Sequence, residues 1–98
     1  MVRPIKPRFL RENPRVVYFK PRGIPLRELE EVVLGPDEFE ALKLHDCDGL
    51  NQTDAAQRMN VSQPTFARIL DKAYKKVVHA LVEGKAIRIE KKDEGYDE

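Results

Sequence analysis

One apolar stripe constrains the fold of this chain more than any other feature of its sequence. The stripe consists of seven residues: Phe66, Ile69, Leu70, Ala73, Val77, Ala80 and Leu81. Their spacing places them on one side of a helix of about four turns, and that side has to pack against other elements. Ser62 suits the N-cap and Gly84 the C-terminal stop, so the pattern predicts a helix over 62–83.

A shorter helix is predicted just before this one. Asn51 or Thr53 can cap its start. Its inner face consists of small or apolar residues: Ala55, Ala56 and Met59. Asn60 then tolerates the left-handed conformation, and Val61 supplies an apolar plug before the cap of the long helix. Residues 51–74 therefore have the pattern of a helix-turn-helix.

The rest of the chain predicts two short strands and two further helices. Five of the seven prolines lie in the first 25 residues, which excludes a helix there. The runs 16–19 and 86–90 read as strands that pair with each other or across a dimer. One short helix is predicted from the helical spacing of Leu26, Leu29 and Val33 (or Val32). Another starts at Pro36 and has an inner face of Phe39, Leu42 and Cys47.

Length and hydropathy bound the organisation of the chain. Its 98 residues suffice for one domain. We divide them into a proline-rich arm with a short strand over 1–25, a helix-turn-helix domain with a C-terminal strand over 26–90, and a frayed polar tail over 91–98. No apolar run approaches the ~18 residues that span a bilayer. The N-terminus lacks a signal-peptide stretch, so we expect a cytoplasmic protein.

The sequence offers no constellation for catalysis, and we expect neither an enzyme nor a cofactor. It holds two His, one Cys and no Gly-rich loop. The acidic cluster of Glu28, Glu30 and Glu31 lacks the basic or nucleophilic partners that acid–base chemistry needs. Residues 45–48 (His-Asp-Cys-Asp) predict no metal site, because ligands at consecutive positions rarely converge. We expect Cys47 to be a small buried apolar group.

Small polar and basic side chains mark the start of the long helix, where a recognition helix needs groups for base edges. The candidate base readers are Gln63, Thr65 and Arg68, because Gln pairs with adenine, Arg with guanine and Thr with a thymine methyl. Ser62 is a cap whose hydroxyl can also meet a phosphate. The candidates for contacts with the DNA backbone, or for a merely solvated face, are Lys72, Lys75, Lys76, Asn51 and Arg58.

A net charge of +1 hides a strong segregation of charge along the chain. Residues 1–22 hold seven basic and one acidic residue, whereas residues 23–55 hold two basic and nine acidic ones. The basic arm contains Arg3, Lys6, Arg8 and Arg11. These side chains can enter a minor groove, serve a dimer interface or remain solvated.

Two resemblances follow from longer blocks of sequence. The blocks 38–44 (Glu-Phe-Glu-Ala-Leu-Lys-Leu) and 48–56 (Asp-Gly-Leu-Asn-Gln-Thr-Asp-Ala-Ala) resemble region 4 of bacterial sigma factors, a module that binds a promoter element. The pair Arg3-Pro4 and the blocks 18–21, 23–34, 62–66 and 80–86 resemble domain-of-unknown-function family 134. That family comprises small bacterial and archaeal proteins predicted to bind DNA. The resemblance therefore implies DNA as the class of ligand, without a target sequence.

These patterns together predict a mainly α fold: a helix-turn-helix bundle resembling sigma factor region 4, with a basic N-terminal arm and two short strands. We expect a sequence-specific DNA-binding protein, a transcriptional regulator that reads the major groove with helix 62–83. A homodimer is expected because the core is small and many such proteins read two half-sites. The alternative is a protein-interaction module that docks on RNA polymerase or another partner through the acidic stretch 28–40.

Overall fold

The computed structural model describes residues 16–91 and contains a mixed sheet of three strands. These are β1 (Val16–Phe19), β2 (Glu31–Leu34) and β3 (Ala86–Glu90). The central strand, β3, runs antiparallel to β1, with Val17 opposite Ile89, and parallel to β2. The strands predicted at 16–19 and 86–90 are confirmed, and they pair with each other within one chain.

The third strand, β2, corrects the prediction of two strands. The spacing of Leu26, Leu29 and Val33 predicts a helix, and that prediction is wrong. Only Leu26–Glu28 forms a single 3₁₀ turn before the chain extends into β2. Val32 lies opposite Ile87 in the parallel ladder, and Leu34 is buried. A β-branched segment that finds a partner strand is stabilised by that pairing, and here the pairing prevails over helical spacing.

Within the part of the chain that the structure describes, three helices supply most of the fold. They are α1 (Pro36–Leu42), α2 (Gln52–Met59) and α3 (Gln63–Glu83). The first continues into a π-helical stretch, Lys43–Cys47. The left-handed Gly84 ends α3 as the sequence predicts. Within residues 16–91, no helix is both long enough and apolar enough to cross a membrane.

The long helix α3 contributes to two apolar clusters. The first joins it to α1 and α2 through Ala41, Leu44, Ala55, Ala56, Phe66 and Leu70. The second joins it to the sheet through Leu34, Ala73, Ala80, Ile87 and Ile89. One stripe on α3 therefore packs against helices at its N-terminal end and against the sheet at its C-terminal end.

Two residues predicted to face the interior lie at the surface instead. Leu81 is 72% exposed, because Val77 and Ala80 already fill the contact with the sheet and the next residue is turned about 100° away. Cys47 is also exposed. It lies in the π-helical stretch, where Leu44 takes the buried position.

Candidate nucleic-acid interface

The connection between α2 and α3 is a tight turn built from three residues. Asn60 is left-handed (φ 62°, ψ 41°), and its N–H donates to the carbonyl groups at the end of α2. The Val61 N–H donates to the Ala56 carbonyl at 3.0 Å. Ser62 caps α3, because its Oγ accepts from the Thr65 N–H at 3.3 Å. These hydrogen bonds, two from the backbone and one to the Ser62 side chain, hold the start of α3 close to α2, where Ser62 and Gln63 are exposed.

A pair of glutamine amides links the starts of α2 and α3. Gln63 Nε2 donates to Gln52 Oε1 at 2.7 Å. Gln63 is exposed, whereas Gln52 is partly buried. Sequence reasoning missed Gln52, although a signal was present: each glutamine is the first residue of its helix. The contact fixes one end of the Gln63 side chain.

A second set of hydrogen bonds joins the N-cap residue Ser62 to two of the predicted base readers, Thr65 and Arg68. Thr65 Oγ1 accepts from Ser62 Oγ at 3.0 Å and from Arg68 Nη2 at 3.3 Å. The hydrogen bond from Arg68 Nη2 to Thr65 holds the guanidinium along the first turn of α3. Gln63 does not join this set, because it is turned towards α2. The structure thus brings Ser62, Thr65 and Arg68 together and places Gln63 beside them with a different partner.

A groove of about 540 Å³ runs between the start of α1 and one side of α3. Its α3 wall includes Thr65, Arg68 and Lys72, and its other wall is Gly35–Glu38. Lys72 is exposed along this wall, one helical turn after Arg68. The groove therefore continues the line of polar side chains from the first turn of α3 towards its middle.

The remaining candidates for backbone contacts differ in their availability. Lys76 donates to the Val33 carbonyl at 2.8 Å and pairs with Glu38 at 2.9 Å, so it ties α3 to α1 and β2. Lys75 is far more exposed and pairs with Asp71 at 3.2 Å. Asn51 is used as the cap of α2, where it accepts from the Asp54 N–H. Arg58 lies exposed in the last turn of α2.

One tyrosine near the middle of α3 has a strongly perturbed ionisation. The Tyr74 hydroxyl donates to the Asp46 carboxylate, at 2.9 and 2.8 Å from its two oxygens. Burial and then the hydrogen bond and charge of Asp46 raise the pKa of Tyr74 to about 12. This contact ties α3 to the π-helical stretch.

The run 45–48 is used for local structure. His45 Nδ1 contacts the Leu50 carbonyl at 2.7 Å. Lys43 pairs with Asp48 at 2.8 Å, and the hydrogen bond from that carboxylate raises the pKa of Lys43. Within the described part of the chain, no group of three or more His, Cys, Asp or Glu side chains is placed to hold a metal ion.

The predicted basic arm falls on residues that the structure does not describe. Arg3, Lys6, Arg8 and Arg11 lie outside residues 16–91, as does the predicted tail beyond Lys91. Their predicted roles stay predictions.

Comparison with known proteins places this chain in a family. A UPF0251 protein of Caldanaerobacter subterraneus subsp. tengcongensis is 54% identical over 90 residues, covering 92% of this chain and 76% of the relative. One of Moorella thermoacetica is 62% identical over 77 residues, covering 79% and 52%. One of Desulforudis audaxviator is 56% identical over 90 residues, covering 92% and 59%. The chain thus spans between about half and three quarters of these relatives' lengths.

No solved structure matches the chain, so the resemblance to sigma factor region 4 stays a prediction. The family model described as "Protein of unknown function DUF134" matches residues 1–96. Because that match covers almost the whole sequence and the relatives share half or more of their aligned residues, the chain belongs to the DUF134 (UPF0251) family.

Proposed function

We propose that this protein is a sequence-specific DNA-binding protein that reads the major groove with the first turns of α3. The observation that carries the proposal is the exposed, hydrogen-bonded set of polar side chains at the start of α3, presented by a capped three-residue turn from α2. A helix-turn-helix presents its recognition helix in this way. The proposed role is transcriptional regulation, in the cytoplasm.

The amide pair suits Gln63 to adenine. One of its two Nε2 protons is donated to Gln52. The other proton and Oε1 remain as a donor and an acceptor, which are the two groups that adenine N7 and N6 require. A side chain that is already held by a hydrogen bond also loses less conformational entropy when it binds DNA. We therefore assign Gln63 as a base reader and Gln52 as the residue that positions it.

Arg68 is the proposed reader of guanine. It uses one nitrogen for Thr65 and keeps other guanidinium N–H groups for O6 and N7 of the base. Thr65 accepts two hydrogen bonds within the protein, so its role is to hold Arg68 and to offer its methyl group. Lys72 and Lys75 follow along the exposed side of α3, where they can meet phosphates.

The alternative function, docking of a protein through the acidic stretch 28–40, has weaker support. Two of its carboxylates are engaged within the chain, Glu38 with Lys76 at 2.9 Å and Glu30 with Lys85 at 3.1 Å. An acidic surface whose charges are partly neutralised internally offers less attraction to a basic partner. We therefore place DNA binding first.

A salt series with matched variants tests the proposal. For the wild type and an enriched duplex, the logarithm of the association constant should fall linearly with the logarithm of the salt concentration. The slope should be near −0.9 for each phosphate contacted. Arg68→Ala should lose about 5- to 150-fold on that duplex and less on random duplex, corresponding to ~1–3 kcal/mol of discrimination. Arg27→Ala is the control, since it removes the same charge from an exposed side chain remote in sequence from α3. Equal losses for both variants on all sequences would contradict base reading.

A further inference from the structure

The C-terminal half of α3 carries an apolar surface that the fold of one chain leaves largely uncovered. Its members are exposed large hydrophobic side chains: Tyr74 at 39%, Val78 at 56%, Leu81 at 72% and Val82 at 77%. Phe19, 62% exposed at the end of β1, lines a depression together with Leu81 and extends the surface onto the sheet. We call these five residues the apolar patch. Among residues 16–91, two other large hydrophobic side chains are about as exposed as Tyr74. They are Ile24 at 38% and Val33 at 41%.

We propose that the apolar patch is the contact surface for a second copy of this chain, with the two α3 helices packed antiparallel across a two-fold axis near Val78. An isologous contact of this kind uses the same patch on both chains. Val78 then meets its own counterpart, and Tyr74 of each copy lies close to Val82 of the other.

The size of the patch fits a second copy. A whole aromatic side chain has about 150–250 Å² to bury, and Val and Leu have somewhat less, so the exposed fractions amount to on the order of 500 Å² per copy. Two patches and their polar rims then reach the lower end of the range for stable, specific interfaces, about 1,200–2,000 Å² in total. A contiguous apolar patch of this size is near the upper end of what monomeric proteins expose, and such patches often mark interaction sites.

Charge selects the antiparallel arrangement over a parallel one. On the N-terminal side of Val78, α3 exposes Arg68, Lys72 and Lys75 against one carboxylate, Asp71, whereas on the C-terminal side it carries Glu83 in its last turn. A parallel pair would bring the basic halves together, where like charges repel. An antiparallel pair separates them and places Lys75 of one copy opposite Leu81 of the other, two residues from Glu83.

The arrangement also has a consequence for DNA, and this step rests on the proposed function. Gln63–Arg68 lies about 13 residues from Val78, or ~20 Å at 1.5 Å per residue. The two reading ends are then about 40 Å apart in a strictly antiparallel pair and about 36 Å apart if the helices cross near −50°. This distance is close to one turn of DNA, about 34–36 Å, which separates the half-sites of dimeric helix-turn-helix proteins.

The first test measures the mass of the full chain in solution without DNA. Sedimentation equilibrium across the micromolar range should give twice the mass of one chain for the wild type. Leu81→Glu should give the mass of one chain with an unchanged circular dichroism spectrum. Ile24→Glu, which places the same charge at an exposed apolar residue outside the patch, should remain dimeric. A monomeric wild type, or a dimer that Leu81→Glu leaves intact, would overturn the proposal.

Cross-linking supplies a second readout that does not depend on how a charged variant folds. In a Cys47→Ser background, Val78→Cys should form a disulfide-linked dimer on mild oxidation, because the two copies of this residue meet at the axis. Gln57→Cys, exposed on α2, should remain monomeric on a denaturing gel. Equal cross-linking of both variants, or none for Val78→Cys, would count against the antiparallel contact.

The two proposals fail separately in these experiments. Loss of DNA binding with an intact dimer would overturn the proposed function and leave the self-association in place. A monomer that still binds single half-sites specifically would overturn the dimer and leave DNA reading in place.

Discussion

The two halves of α3 share one buried stripe and differ on their exposed sides. Residues 63–73 present amide, hydroxyl and guanidinium groups, and the large apolar side chains within that half, such as Phe66, face the interior. Residues 74–83 present Val78, Leu81 and Val82 to solvent. A helix needs only one buried side for its stability, so its outer side is available for partners. Here the outer side changes character halfway, which fits two partners of different chemistry.

Truncation of the buried stripe should have the largest effect on stability. Phe66 is fully buried, so Phe66→Ala should lower the free energy of unfolding by about 3–5 kcal/mol through lost contacts and a cavity. Leu81→Ala should change it by no more than ~0.5 kcal/mol at concentrations too low for self-association. Urea unfolding monitored by circular dichroism measures both. Similar losses for the two variants would show that the C-terminal half of α3 is packed within one chain.

Loss of the amide at the start of α3 should affect DNA and leave the dimer unchanged. Gln63→Ala should weaken specific binding by about 5- to 150-fold, or ~1–3 kcal/mol, because a bidentate contact to adenine is lost. Gln52→Ala should have a smaller effect in the same direction, since Gln63 keeps its groups and loses only its support. Fluorescence anisotropy measures the affinity of each variant for the enriched duplex and for a scrambled one. An unchanged ratio of affinities for Gln63→Ala would exclude this residue as a base reader.

Substitutions of the cap separate its structural role from a DNA contact. Ser62→Ala should cost about 1 kcal/mol of unfolding free energy, because the Thr65 N–H loses its acceptor. Ser62→Asp should retain stability, since Asp is also a good N-cap. The added carboxylate should nevertheless weaken DNA binding through repulsion of phosphate. If Ser62→Asp binds DNA as tightly as the wild type, the start of α3 does not approach the duplex.

The tyrosine at the boundary between the halves should give the smallest effect, confined to high pH. The folded chain holds the pKa of Tyr74 at about 12, above the unfolded value of 10.0, so folding favours the protonated hydroxyl. This contribution is fully present below pH 10 and is lost as pH rises through about 12. Tyr74→Phe should therefore remove part of the fall in stability between these pH values. Identical pH profiles for wild type and variant would show that the bond to Asp46 does not contribute.

The sequence predicts the elements whose signals are local. Asn51, Asn60, Ser62 and Gly84 each act within a turn or two of their own position, and each takes the conformation that its chemistry favours. The apolar spacing of α3 is likewise a property of one segment. Most of α3 and its turn therefore follow from the residue order.

Features that depend on distant residues were not predictable in this way. The strand β2 exists because β3, more than fifty residues later, offers it a ladder. The contact of Gln52 with Gln63 joins the starts of two helices across eleven residues. The exposure of Leu81 depends on how much of α3 the sheet covers. Periodicity within one segment contains none of this information.

Selection from a random duplex library at near-physiological salt, followed by sequencing, tests the central claim most directly. We expect the wild type to enrich an inverted repeat whose half-site centres lie about 10–10.5 base pairs apart. Leu81→Glu should enrich a single half-site, and Gln63→Ala should lose preference for adenine within it. No enrichment by the wild type, with weak binding that disappears as salt rises, would contradict sequence-specific recognition by α3.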